Sequence, residues 1–200
     1  MTAAEIPDLL VADVTAWHAW LAAHHTEPTG VWLVFGKKGQ DAPTTLTYQP
    51  ALEEALCFGW IDGQSRRGDD TTYSQRFTPR RARSPWSQRN VGIVARLIAQ
   101  SRMQPAGLAE IERAKGDGRW DAAYAGSAGM EMPADLRDAL AASSRASAMF
   151  EILTSANRFA ICYRLGEAKR PGTRARRLTT YIEMLERGET LHPQKQRLET

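Results

Sequence analysis

The residues best suited to chemistry lie between Phe58 and Asn90, in FGWIDGQSRRGDDTTYSQRFTPRRARSPWSQRN. This stretch interleaves Trp60, Tyr73, Phe77 and Trp86 with seven arginines and with Asp62. An arginine offers a planar fork that fits a carboxylate or phosphate, and a face that stacks on an aromatic ring. Alternation along a strand puts Tyr73, Gln75 and Phe77 on one side and Ser74, Arg76 and Thr78 on the other. Asp62, on a neighbouring strand, is then expected to meet Arg76 and hold its guanidinium in one orientation. That pair, walled by Trp60 and Trp86 and joined by Arg80 and Asn90, would floor a pocket for a small anionic ligand. The same residues admit a plainer arrangement. In it Asp62 and Arg76 form a buried ion pair, the tryptophans are core, and Arg80, Arg81 and Arg83 are solvated.

Two other chemistries compete with ligand binding. In an enzyme, Asp62 desolvated by the tryptophans would be a general base and Arg76 would stabilise an oxyanion. The adjacent arginine opposes this, because it lowers an aspartate's pKa and weakens the base. In a nucleic-acid-binding protein, the segments Gln64–Arg96 and Lys169–Arg177 would form one positive face contacting phosphates without reading bases. No recognised nucleic-acid motif accompanies them. Arg174 and Arg177 lie off the apolar stripe of their helix and read as a solvated face, with partner docking the alternative.

Other routes to function are poorly supplied. His18, His24, His25 and His192 show no HExxH or histidine–carboxylate spacing, so no metal site is expected. No GxGxxG, GxxxxGK[ST] or GxSxG motif is present, and no cofactor is implied. Cys57 sits in Ala55-Leu56-Cys57-Phe58, the setting of a small buried hydrophobe rather than a nucleophile. No catalytic residue is assigned, and oligomeric state has no sequence signal.

These side chains need elements to position them. Trp17, Trp20, Leu21 and His24 form one stripe of a short helix that Asp13 or Thr15 would cap. Val31 to Phe35 reads as a strand whose near-continuous apolarity predicts burial on both faces. A helix follows from Thr47, with Pro50 in its first turn and Gly59 at its end. Trp60–Asp62 and Thr72–Thr78 read as strands joined by the polar stretch Gln64–Asp70. Ser84 followed by Pro85 predicts a helix start, with apolar spacing to about Arg102, and Pro105 starts another helix closed by Gly116. The segment 125–133, AGSAGMEMP, reads as a linker. Helical spacing then runs to a last helix capped by Thr173 and ended by Gly188. The expected class is α+β: a small three-stranded antiparallel sheet with helices over residues 1–125, an all-helical module over 130–188, and a frayed tail over 189–200.

Composition narrows the class. Over 200 residues, 42% are hydrophobic and 24% charged, close to ordinary globular usage. No apolar run approaches the roughly 18 residues that a membrane span needs. The N-terminus carries Glu5, Asp8 and Asp13 and no basic region, so no signal peptide is expected. Two cysteines 105 positions apart make neither a disulfide framework nor a zinc site. A cytoplasmic location is the expectation. The net charge of +3 hides an uneven distribution. Gln64–Arg96 holds eight arginines against two acids, a local +6, and the remainder sums to −3.

Several of these blocks carry a resemblance. LTYQPALEEALCFGWIDG (46–63), YSQRFTPRR (73–81) and SPWSQRN (84–90) resemble the signature blocks of the YdeI/OmpD-associated, or bacteriocin-protection, family. VWLVFGKKG (31–39) and RMQPAGLAEIERAKGDGRWDAAY (102–124) are similar to further blocks of it. The region 130–187, including FAICYRLGEAKRPGTRARRL, is similar to its C-terminal helical module. The resemblance implies an association with protection from peptide toxins and with an outer-membrane porin, and with it a small anionic or amphipathic ligand, such as a toxic peptide or antibiotic, for the pocket at Trp60, Asp62, Arg76, Arg80, Trp86 and Asn90. It implies neither a defined reaction nor catalytic residues.

Overall fold

The computed structural model describes residues 6–126 and 129–198. The chain divides into two compact units, Met1–Tyr124 and Ala125–Thr200. The boundary falls in the stretch read as a linker, of which residues 127–128 lie outside the described ones, as do residues 1–5 of the N-terminal reading.

The first unit is built on a four-stranded sheet in the order β1-β2-β4-β3. These strands are Asp8–Leu9 (β1), Val31–Gly36 (β2), Trp60–Arg67 (β3) and Thr72–Pro79 (β4). Three were expected. The fourth, β1, pairs parallel to β2 over two residues and is too short to show any period. β2 is buried on one face only, through Val31, Leu33 and Phe35, which corrects the expectation of burial on both. Its other face is half-buried, and there the Arg66 guanidinium lies 4.6 Å from the centre of the Trp32 ring. β3 and β4 form a longer hairpin than expected, because the polar run through Arg67 continues β3 instead of forming a loop.

Among the described residues, four helices complete the first unit. Val14–His24 (α1) is capped by Asp13, whose carboxylate accepts from the Ala16 N–H at 2.9 Å. Tyr48–Cys57 (α2) starts after Thr47, and Gly59 follows it with φ +77°, the left-handed conformation that glycine adopts without a Cβ penalty. Gln88–Ala99 (α3) begins later than Ser84–Pro85 predicted. The Ser84 hydroxyl closes a turn by accepting from the Arg81 N–H, and the cap passes to Ser87, which accepts from the Asn90 N–H at 3.2 Å. Pro105–Gly116 (α4) has its proline in the first turn, as predicted. The core includes Trp17, Trp60, Trp86, Phe35 and Phe77, and all six tryptophans of the chain belong to this unit.

The second unit contains only helices among its described residues: Ala134–Ala141 (α5), Ser144–Glu151 (α6), Ser155–Gly166 (α7) and Pro171–Glu186 (α8). α8 starts at Pro171, two residues before the expected Thr173 cap, since a proline at the first helical position loses no hydrogen bond. Leu136, Met149, Ile161, Leu165 and Leu185 make its core. The tail expected to fray is tied down. Buried Asn157 donates to the His192 carbonyl and accepts from the His192 N–H at 2.8 Å, and its amide also reaches Gln194. The last two positions of that tail, 199–200, lie outside the described residues.

Candidate functional site

Register decides what Asp62 and Arg76 can do together. In the antiparallel pair β3–β4, Asp62 stands opposite Phe77, so its side chain shares the covered face with Phe77. Arg76 stands opposite Trp32 on β2 and shares the other face. A bulge between Asp62 and Ser65 accommodates the extra residue without reversing this. The expected Asp62–Arg76 pair therefore does not form: the two side chains leave the sheet on opposite sides. The Arg76 Nε is buried and has no hydrogen-bond partner among the described residues.

Asp62 is instead served by helices. Tyr48, the first residue of α2, donates its hydroxyl to Asp62 Oδ2 at 2.8 Å. Arg89, in the first turn of α3, lies 5.8 Å from the centre of the Tyr48 ring and donates to the neighbouring Gln49 at 2.7 Å. Burial pushes the Tyr48 hydroxyl up to about 12, and the Asp62 carboxylate adds to the effect. Tyr124 is raised for the same two reasons, burial first and Asp62 second. Its backbone joins the start of α3, the Gln88 N–H donating to the Tyr124 carbonyl at 2.9 Å. Asp62 thus faces a polar centre that includes two phenols held in their neutral form.

Arg80 lies at the adjoining end of β4 and is buried, which corrects the expectation that it is solvated; Arg81 and Arg83 are exposed. Its guanidinium carbon lies over the Trp86 ring, 3.7 Å from the ring centre, and Nη1 donates to the Pro85 carbonyl at 3.0 Å. Burial lowers its pKa to about 10, against the raising influence of Glu110 and Asp62. Glu110, from α4, is buried and bonded by Arg113 and by Arg119, the latter at 3.1 Å. Arg119 also donates to the Ser84 carbonyl at 3.0 Å, and Trp120 packs on Trp86 with ring centres 4.9 Å apart. Three arginines thus gather round one buried glutamate. In this cluster the Arg80 Nε and Nη2, the Trp86 Nε1 and the Arg119 Nη2 are buried and have no hydrogen-bond partner among the described residues. All four are donors. A cavity of about 280 Å³ opens beside Arg80, with Arg80, Glu110 and Arg113 supplying its polar wall and Phe58, Ala106 and Ala109 its apolar one; Trp86 and Arg119 do not line it.

The six expected site residues therefore separate. Arg80 and Trp86 stack together, and Asp62 acts on Arg80 electrostatically. Asn90 is buried and uses its backbone N–H on the Ser87 cap. Trp60 is fully buried against Trp17 and Trp20 and donates its indole N–H to the His25 carbonyl at 2.8 Å, which makes it core. Arg76 stands on the far face. Tyr48, Glu110, Arg113, Arg119 and Tyr124 were missed: the first three lie on helices whose apolar spacing leaves polar residues looking solvated, and the last two follow the end of α4, where no period operates. The only available signal was that each falls inside a block carrying the family resemblance. Among the described residues no group of three or more His, Cys, Asp or Glu side chains could hold a metal.

Fold and cluster together define an α+β protein with a basic, tryptophan-stacked centre beside a small cavity. Residues 9–110, just over half of the chain, match the family model described as a domain of unknown function (DUF8412), and the chain belongs to that family. Residues 129–188 match the model described as bacteriocin-protection, YdeI or OmpD-associated, the family that the sequence resembles. The blocks at 31–39, 46–63, 73–81 and 84–90 lie within the first of these matches. No curated protein and no solved structure matches the chain. No helix among the described residues is long and apolar enough to cross a membrane.

Proposed function

We propose that this is a cytoplasmic, resistance-associated protein that binds a small anionic ligand with an apolar part at the Arg80–Trp86–Arg119 cluster. The observation that supports the reading is the buried Arg80 guanidinium, which lines the cavity and has two nitrogens, Nε and Nη2, without a partner among the described residues. Leaving a buried N–H unpaired costs about 1–3 kcal/mol, and more when the group is charged. An anion in the cavity would supply an acceptor to Arg80, and Phe58, Ala106 and Ala109 would cover its apolar part. Sequestration of this kind asks for no activated nucleophile.

Thermal unfolding with and without inorganic phosphate, malonate and benzoate tests the reading, with choline chloride as the ionic-strength control. At least one anion is expected to raise the melting temperature, a ligand at one hundred times its Kd adding about 2.7 kcal/mol. Arg113→Gln, which changes a half-exposed cavity-lining side chain, is expected to abolish the response. Arg76→Ala, on the opposite face of the sheet, is expected to keep it. No anion-specific rise, or an undiminished rise in Arg113→Gln, would overturn the proposal.

A further inference from the structure

The second unit holds a cavity of about 470 Å³ that is separate from the Arg80 cluster and lined wholly by its own residues. One wall is a stripe of α7. Ser155, Arg158, Phe159 and Cys162 stand at i, i+3, i+4 and i+7 and so share a single face. The adjoining face of α7 is already used, since Ile161 and Leu165 are buried in the unit's core. Met130, Met132, Phe150 and Leu153 complete the lining and are all apolar, with Phe150 beside Arg158. Methionine is unbranched and polarisable, and it adapts to the shape of an apolar guest.

The cavity has a chemical axis. Its polar groups, the Ser155 hydroxyl and the Arg158 guanidinium, both sit in the first turn of α7, where the helix presents the positive end of its dipole. Arg158 is the only charged residue among the described lining residues. It uses Nη2 on the Glu151 carbonyl and lies 5.9 Å from the centre of the Phe150 ring, which leaves further N–H groups on its fork. One to two turns further along α7 the wall is purely aromatic and thiol, Phe159 and then Cys162. Burial raises the Cys162 thiol above its ordinary pKa, so it stays neutral there. The volume lies within the range of small-molecule pockets.

We infer that this cavity binds a linear monocarboxylate of medium chain length. Its carboxylate sits against Arg158 and Ser155, and its tail runs along Phe159 and Cys162 between the two methionines. Positive charge at one end only selects an anionic head over a cationic one, and the apolar walls select a chain over a compact polar anion.

The test uses the full chain labelled at its methionine methyl groups and titrated with decanoate below its micelle concentration. The Met130 and Met132 signals are expected to shift saturably, and Met103, in the first unit, to stay still. Acetate and inorganic phosphate are expected to leave Met130 and Met132 unmoved, which separates this site from the one at Arg80. Decyltrimethylammonium, with the same tail and the opposite charge, is expected to bind at least about tenfold more weakly. Arg158→Gln, at an exposed position, is expected to weaken decanoate about tenfold and leave decanol unchanged. Failure of decanoate to shift Met130 and Met132 would overturn the site. Equal binding of the cationic amphiphile, or an unchanged decanoate affinity in Arg158→Gln, would overturn the assignment of an anionic head.

Discussion

A buried arginine whose fork is only partly bonded is costly unless something uses it. Among the described residues, the Arg80 fork makes one hydrogen bond from five possible donors, and its nearest buried carboxylate, Glu110, is already bonded by Arg113 and Arg119. Replacing it by an apolar residue of similar length therefore need not weaken the fold. Arg80→Met is expected to change unfolding free energy by less than about 1 kcal/mol, or to raise it, while removing the stabilisation by anions. Urea titration checks the first part and the anion-dependent melt the second. A loss of several kcal/mol would make Arg80 a structural residue. Tyr48 has the opposite profile. Tyr48→Phe deletes the hydroxyl that donates to Asp62 Oδ2 and is expected to cost about 1–3 kcal/mol in urea unfolding. At this scale the sequence exposed residue types but not their partners. The pairing of Asp62 with Tyr48 depends on a strand and a helix separated by 14 positions, and no local period records it.

Elements were more legible where a local rule governs them. Asp13, Pro105 and Gly59 mark helix ends through capping, a missing N–H and a left-handed φ, and each acts within a few residues. Ser84 misled because a serine before a proline can close a turn as readily as cap a helix, and only the Arg81 contact distinguishes the two. The face of Asp62 was illegible for a related reason. A one-residue shift in strand pairing reverses every side chain, and the register is set by the hairpin and its bulge. Close packing between elements was also hidden. A Cβ added at Gly107 in α4 would fall 2.1 Å from the Cys57 carbonyl oxygen at the end of α2. Gly107→Ala is accordingly expected to destabilise the first unit by about 3 kcal/mol, read as a shift in the urea midpoint. In the second unit α5 and α8 are joined by Arg174, which grips the Asp135 carboxylate through two nitrogens at 2.6 and 2.8 Å. Those hydrogen bonds hold the Asp135 carboxyl below the usual carboxylate range. A lowered folded pKa contributes stability above the unfolded value of about 3.9 that disappears as pH falls through the folded value. Asp135→Asn is expected to flatten the acid limb of the melting curve below about pH 4 and to cost under about 1 kcal/mol at neutral pH, since the pair is partly exposed.

The division into two units follows from two separate sets of buried side chains, one around the sheet and one inside four helices. The sequence marked that division through the loss of strand periodicity after Thr78 and the small-residue stretch at 125–133. The second core contains Leu136, Met149, Ile161, Leu165 and Leu185, and Asn157 ties the tail back to α7. A chain of residues 125–200 is therefore expected to fold alone, with a helical circular dichroism spectrum and a cooperative thermal transition. A featureless, non-cooperative melt would show that its core is insufficient. The placement of the tryptophans gives the whole molecule an optical consequence. Every indole lies in the first unit and none in the second. Indole emission therefore reports on the sheet-bearing half alone, whereas far-ultraviolet ellipticity follows the helices of both. Recording the two signals in one denaturation experiment separates the fates of the two halves without introducing any label.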